Sequence, residues 1–569
     1  MLPHFSHYLH SNQAPSEREA REIKALRVNP SEEISVIDVE IERFENILDS
    51  LRQKRANIQK SIDDCNTILA PVRSLSTDVL GVIFTYCLAT HRNPIMDSSE
   101  APILLTQICR DWRSIALSTP RLWTRIYIPL LQSVNEYQFE TLPSIHDKGC
   151  RLDAGYEEMQ RWLRLSGACP LSITMVPNGG PVSHQPLLDA IVQSSRRWQQ
   201  FELGYLPPDS DVSKRILDLS ADDLCMLREV RLHSTANQET DDDLELWHQS
   251  GILTAQSLRG ISIGDMRPIG VFPTGIPPNW KNLNHLFIHS LVVLQLANQM
   301  LSYCCNLVTC LLSIDWDTGV AANVSITASS FLLPHLKFLS LQGDPTSCSQ
   351  LFGNIEAPSL RTLDCRGDFP SGNTGSGLFD FLQKIDSLET LVMDYHNLTG
   401  DNILRCCTLA PSLTHLVLGQ SPKHQYSRSF ALHHPHPEQV KLMTALYKVK
   451  HHYSSDSAPT VPFPSLEVFE AHGIPSVTDA ILLEFIMARI DAARSNDAVS
   501  NLRKVLIQFS RPRQTDIIPE ALACAEAAGV GLQVELTYDT GNELEKAWSP
   551  SSGLSLVDDT SWTYPLYDF

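Results

Sequence analysis

Residues 283–312 read LNHLFIHSLVVLQLANQMLSYCCNLVTCLL. The stretch opens with Leu283, Leu286 and Ile288, and the same spacing returns 24 residues later as Leu307, Cys310 and Leu312. An apolar residue, two variable ones, an apolar, a variable and an apolar describe a short strand. Its last two apolar residues share one face, because side chains alternate along a strand. Between the copies, Val293 to Tyr303 carries a helix-like pattern. Strand plus helix at a fixed step is a unit that can be stacked on itself.

The unit recurs. Earlier copies are Trp198/Phe201/Leu203, Leu227/Val230/Leu232 and Leu258/Ile261/Ile263. Later ones are Leu336/Leu339/Leu341, Leu360/Leu363/Cys365, Leu388/Leu391/Met393, Leu413/Leu416/Leu418, Leu466/Phe469/Ala471 and Leu502/Val505/Ile507. From Leu258 to Leu413 the steps are 25, 24, 29, 24, 28 and 25 residues. This period resembles that of leucine-rich repeats, and the resemblance implies an α/β solenoid over residues 160–538. The repeats are degenerate. Where that family has Asn after the strand, this chain has Asp344 and Asp368, or His396 and Ser421 elsewhere. The step from Leu413 to Leu466 is 53 residues. It holds a long insertion at about 420–462, with a helix expected near Glu438 to Lys450. Residues 161–175 read as helix, turn and strand, and SGNTGSG at 371–377 as a loop.

Ahead of the array, residues 71–123 hold a second pattern. Leu75, Val79, Leu80, Ile83, Phe84, Cys87 and Leu88 lie at helical spacing, with Ser76, Thr77 and Asp78 as a helix start. Ile103, Leu104, Ile108, Trp112, Ile115 and Leu117 follow on a second helical stretch that stops at Pro120. Helices this short leave apolar surface that needs a cover. The order Leu75, Asp78-Val79-Leu80, Ile83-Phe84, Ile108-Cys109-Arg110, Trp112-Arg113 and Pro120, Leu122-Trp123 resembles the F-box, which binds a Skp-family adaptor. Ser76 stands where that family has proline, and the break from Thr90 to Ala101 is longer than usual.

Upstream, Ile34, Ile37, Ile41, Phe44, Leu48, Leu51, Arg55, Ile58, Ile62, Cys65 and Leu69 alternate at steps of three and four. This heptad predicts an amphipathic helix over 34–70 that either pairs as a coiled coil or folds back on its own chain. Residues 1–33 are expected to be a disordered arm, 71–125 the helical module and 539–569 a tail.

The chain has 569 residues and a net charge of −20. That balance, without a basic stripe, argues against nucleic acid. No apolar run reaches membrane-helix length and no secretory signal is evident, so the expectation is an intracellular chain, cytoplasmic or nuclear, with no membrane contact. The 14 Cys, with no Cys-x-x-Cys, read as reduced core thiols. His433, His434, His436, His451 and His452 are broken up by Pro435 and Pro437 and form no metal motif. No nucleophile elbow, phosphate loop or zinc-protease motif is present, so no enzyme, cofactor or metal is expected.

The three segments in this order resemble the substrate-recognition subunits of Skp–cullin–F-box ubiquitin ligases. The resemblance implies a fold of α plus α/β class: a long N-terminal helix, a small F-box-like module and a leucine-rich-repeat-like solenoid. It implies an adaptor and cullin complex as partners and a protein target. Adaptor contact would fall on Leu75, Leu80, Ile83, Leu104 and Trp112. Target contact would fall on strand positions turned away from the core, among them Phe287, Phe338, Asp364, Val392 and Val417. The alternative is an interaction scaffold without ubiquitin transfer.

Overall fold

The computed structural model describes residues 5–10, 12–90, 92–131, 152–178, 185–204, 211–233, 250–264, 275–315, 330–365, 376–393, 405–406, 408–419, 463–474, 477–509 and 511–538. The expected tail, the expected helix near 438–450, the histidines of the insertion, and Asp368, His396 and Ser421 lie outside them. The chain forms a long N-terminal helix, a set of shorter helices and one large parallel sheet. It divides into two compact units, Met1–Val82 and Ile83–Phe569.

The first unit is dominated by α1, Glu17–Ile68. The helix starts well before the heptad, inside the segment expected to be a disordered arm. A capping box explains this. Ser16 Oγ accepts from the Glu19 backbone N–H at 3.4 Å, and the Glu19 carboxylate accepts from the Ser16 N–H at 2.9 Å. Two of the orphan donors at the helix start are thereby satisfied. Tyr8 donates from its hydroxyl to the same carboxylate at 3.1 Å. From Glu32 to Ile68 the helix is exposed on every side, including the heptad stripe. The unit ends within α2, Thr77–Tyr86.

The second unit begins with the rest of α2, then α3, Leu105–Ile108, and α4, Arg110–Leu117. The sheet starts at β1, Arg125–Leu131, rather than near residue 160. Strands β2, Leu171–Asn178, β3, Trp198–Leu203, β4, Glu229–His233, and β5, Gly260–Gly264, follow. Next come β6, His285–Val292, β7, Thr309–Ile314, β8, Phe338–Gly343, and β9, Thr362–Cys365. The series closes with β10, Thr390–Met393, β11, His415–Leu418, β12, Val468–Ile474, β13, Lys504–Phe509, and β14, Gln533–Tyr538. Among the described residues the 14 strands of this sheet lie in chain order, neighbours hydrogen-bonded in sequence and all parallel. A two-residue pair, Phe331–Leu332 with Ile355–Glu356, stands apart.

Register explains the repeat. Leu286, Cys310, Leu339, Leu363, Leu391, Leu416, Phe469 and Val505 form one transverse row, with exposures of 0% throughout. Ile288, Leu312, Leu341, Cys365, Met393, Leu418, Ala471 and Ile507 form the next inward row. Each side chain in these rows is covered by its neighbours and by the crossing helices. Burying a Leu or Ile in this way is worth about 1.5–3 kcal/mol. Among those helices, Leu294–Tyr303 turns in Leu296, Ala297, Met300 and Leu301, and Asp479–Ser495 turns in Leu482, Phe485, Ile486 and Ile490.

Polar groups stitch the repeats together at the strand starts. The N–H groups of Asn284, Val308, Lys337, Arg361 and Glu389 each donate to a carbonyl of the preceding repeat at 2.7–2.9 Å. The residue before the leading leucine adds a side-chain bond. Ser257, Ser387 and Ser412 donate from Oγ to the carbonyls of Leu227, Leu360 and Leu388 at 2.8–2.9 Å. Asn306 does the same to Lys281 at 2.8 Å. Just after β8, the Asp344 carboxylate accepts from the Ser347 N–H at 2.8 Å and caps the helix Pro345–Asn354. Gly343 precedes it at φ +113°, a backbone state that side chains avoid, with the Ile314 carbonyl where a Cβ would stand.

Candidate functional site

The helical module offers the first candidate surface. In the first unit, Leu75 is 37% exposed and Leu80 only 7%. Leu80 is therefore a core residue of the free chain and is not presented to a partner. In the second unit, Ile83 and Leu104 are 40% and 38% exposed, and Ile108 is exposed beside Leu104 on the same short helix. Trp112 is half-buried because its ring packs on the fully buried Phe84, with centroids 4.8 Å apart. Of the five expected adaptor contacts, Leu75, Ile83 and Leu104 present apolar surface, whereas Leu80 is buried and Trp112 packs on Phe84.

The break before α3 docks the module on the sheet. Arg125 of β1 donates to the carbonyls of Ala89 and Arg92 at 2.9 and 2.6 Å and to Asn93 Oδ1 at 3.0 Å. Burial lowers the pKa of this guanidinium. Asn93 in turn donates to Thr174 Oγ1 at 3.0 Å. Arg92 grips Glu100 through both carboxylate oxygens, at 3.1 and 2.8 Å. Trp123 donates from Nε1 to the Ala116 carbonyl at 2.9 Å and meets Trp162 edge-on at 4.9 Å. Within the second unit, the break is thus bonded to the first strands of the sheet, and α4 to Trp123 just ahead of them.

The second candidate is the sheet face turned away from the core rows. Phe287, Leu311, Ser340, Asp364, Val392, Val417 and Glu470 lie side by side across seven strands. Phe338 lies one row nearer the strand starts, between Thr309 and Thr362. Phe287, Phe338, Val392 and Val417 are half-buried. Asp364 is 0% exposed and Ser340 likewise, with Leu311 at 1%. Asp364 is on the expected face, yet it is not a surface contact: facing away from the helices is not the same as facing water. Arg366 and Asp394, expected on this face, lie outside the described residues.

Titratable groups mark the two flanks of that buried centre. On one side His233 is 4% exposed, and its ring stands 2.6 Å from where a Cβ on Gly264 would be. Burial, with His289 and Arg231 nearby, pushes its pKa down to about 3. On the other side Glu470 lies 3.3 Å from His415 Nε2 and 3.9 Å from His472 Nε2. Hydrogen bonding to His415 and His472 brings its pKa down to about 2.

A cleft of about 470 Å³ opens at the strand starts, lined among others by Arg259, Asn284, Asn306, His335 and Lys337, with no carboxylate among the described residues of its wall. At the far end Asp479 is 0% exposed and accepts from Arg511 Nη2 at 2.8 Å, the N–H groups of Thr515 and Gln514 at 2.7 and 2.9 Å, and the Tyr538 hydroxyl at 3.2 Å. Burial opposes its charge, but Arg511 and the two N–H donors outweigh burial and lower its pKa. Burial and the adjoining carboxylate push Tyr538 up to about 12. Arg511 also lies 4.0 Å over the Phe509 ring. This cluster is a structural clamp on the last strands.

Among the described residues no group of His, Cys, Asp and Glu is placed to hold a metal ion. Burial pushes the thiols of Cys304, Cys348 and Cys406 up to about 12, which leaves them unreactive. Among the described residues no single helix is long and apolar enough to cross a membrane. No protein-family model and no curated protein matches the chain.

Proposed function

We propose that the chain is the substrate-recognition subunit of a Skp–cullin–F-box type ubiquitin ligase. The helical module takes the adaptor and the sheet region takes a target protein, which the assembled ligase then modifies. The observation that carries the reading is the exposed apolar set Ile83, Leu104 and Ile108 of the second unit, in the spacing of an adaptor-binding module. The target-binding part is a leucine-rich-repeat-like solenoid. Supporting that are the chain-order parallel strands and the step of 24 to 29 residues. The chain's own contribution is proximity: it raises the effective concentration of the target at the ligase.

The test uses the full chain, a purified Skp-family adaptor and an Ile83→Asp/Leu104→Asp variant. Both side chains are exposed, so the variant keeps its circular dichroism and thermal midpoint. Losing two apolar anchors and burying two charges weakens adaptor binding by at least about thirtyfold. Equal binding by native chain and variant, or none by either, sinks the reading. Adaptor capture without cullin recruitment makes the chain a scaffold.

A further inference from the structure

We propose that α1 is one half of an antiparallel coiled coil formed with a second copy of this chain. Ile34, Ile37, Ile41, Phe44, Leu48 and Leu51 are 47–64% exposed on one stripe, and Ile58 and Ile62 continue it at 54% and 48%. A helix of 52 residues with its apolar seam in water lacks the tertiary packing that stabilises helices in proteins. A strict heptad is completed by another helix of the same period.

Charge selects the second copy and its direction. Asp38, Glu40, Glu42, Glu45 and Asp49 outweigh Arg43 and make the first half of the seam acidic, and Arg52, Lys54, Arg55 and Lys60 outweigh Asp63 and Asp64 and leave the second half basic. In a parallel pair, Glu40 flanks Glu45 of the other copy, Glu33 flanks Asp38, and Arg55 meets Arg55 inside the core. Each of these is repulsive. In the antiparallel pair centred between Leu48 and Leu51, acidic half lies on basic half. Leu48 then packs on Leu51, Ile41 on Ile58, and Ile37 on Ile62. Glu45 lies beside Arg52 of the other copy. Arg55 falls opposite Phe44, where a guanidinium can lie on a ring face. The residue that spoils a parallel seam completes the antiparallel one. The ends of the seam, at residues 34 and 69, are about 50 Å apart along each helix, so the pair carries its two attached chains at opposite ends.

The register sets Cys65 opposite Ile34 of the other copy, whereas a parallel pair sets Cys65 on Cys65. The test is mild oxidation of the full-length Ile34→Cys variant, with a non-reducing gel, peptide mass mapping and sedimentation of the native chain. A doubled mass, with a disulfide from position 34 to Cys65 of the other copy, is the expected result. A Cys65–Cys65 disulfide in the native chain overturns the orientation. A monomer at tens of micromolar, or a 34-to-65 disulfide within one chain, overturns the pairing itself. Glu45→Arg weakens the dimer several-fold, and adding Arg52→Glu restores it. Failure of the double variant to recover also overturns the orientation. Both positions are exposed on the helix, so monomer folding, followed by circular dichroism, is unaffected.

Discussion

The long helix and the sheet contain the same kinds of residue and treat them in opposite ways. In the sheet, Leu286, Leu339, Leu363, Leu391 and Leu416 are all 0% exposed, each held by the repeat before and the repeat after. In α1, Leu48 and Leu51 are 47% and 60% exposed. Period 2 with a crossing helix closes its own core within the chain. Period 3.5 on one long helix does not, and leaves the burial to be finished elsewhere. The difference teaches that hydrophobic patterning fixes which residues must be covered, and topology decides by whom.

The comparison is broken most forcefully at the clamp on the last strands. Asp479→Ala leaves Arg511 buried without its carboxylate, and a global unfolding measurement is expected to show a loss of about 3–5 kcal/mol. An unchanged denaturation midpoint would mean the sheet's end needs no clamp. Next come paired truncations, one in each region. Leu391→Ala opens a cavity in the inward row and costs about 2–5 kcal/mol in a denaturant titration. Leu48→Ala leaves that transition in place and acts on self-association instead, seen as a lower sedimentation coefficient. Equal stability losses in both would erase the distinction.

Acid sharpens it further. The unfolded His233 titrates near 6.5 and the folded one near 3. Above pH 6.5 both states are neutral and the residue contributes nothing. Below it, the unfolded state gains a proton that the folded state refuses, so stability falls by up to about 1.4 kcal/mol per pH unit. Glu470, lowered from 4.5 to about 2, adds stability above pH 4.5 that is lost between 4.5 and 2. His233→Gln is therefore expected to flatten the stability profile between pH 6.5 and 3, checked by denaturation at stepped pH. The smallest effect belongs to the repeat seam: Ser412→Ala removes one bond to the Leu388 carbonyl and costs about 1 kcal/mol in the same assay.

The inward rows were legible because each begins with Leu-x-x-Leu-x-Leu or a near variant. The first two strands were less so. Trp123, Ile126 and Ile128 fit the repeat, but Trp123 also ends the helical module, and one residue serving both hid the start of the sheet. At β2, Pro170 occupies the leading apolar position before Ile173 and Met175. The early start of α1 was written in Ser16-Glu17-Arg18-Glu19, a capping box ahead of a weakly amphipathic stretch. The Ser or Asn before most of the leading leucines was a second repeat signal, whose meaning emerges only when its acceptor is known to be the preceding repeat's carbonyl. At the candidate sites, alternation assigned Asp364 and Val392 to one face correctly. It could not distinguish 0% exposure at Asp364 from half-burial at Val392, because burial on that face depends on more than the strand's own period.

Strand order has a mechanical consequence. Among the described strands of the large sheet, each is bonded to the one before and the one after it. Load applied along the chain therefore meets the strand pairs one after another from an end. The array yields from its termini, a repeat at a time. Each repeat of about 25 residues lets out roughly 85 Å of extended chain. Among the described strands, the Asp479–Arg511 bond guards the end at which the series closes.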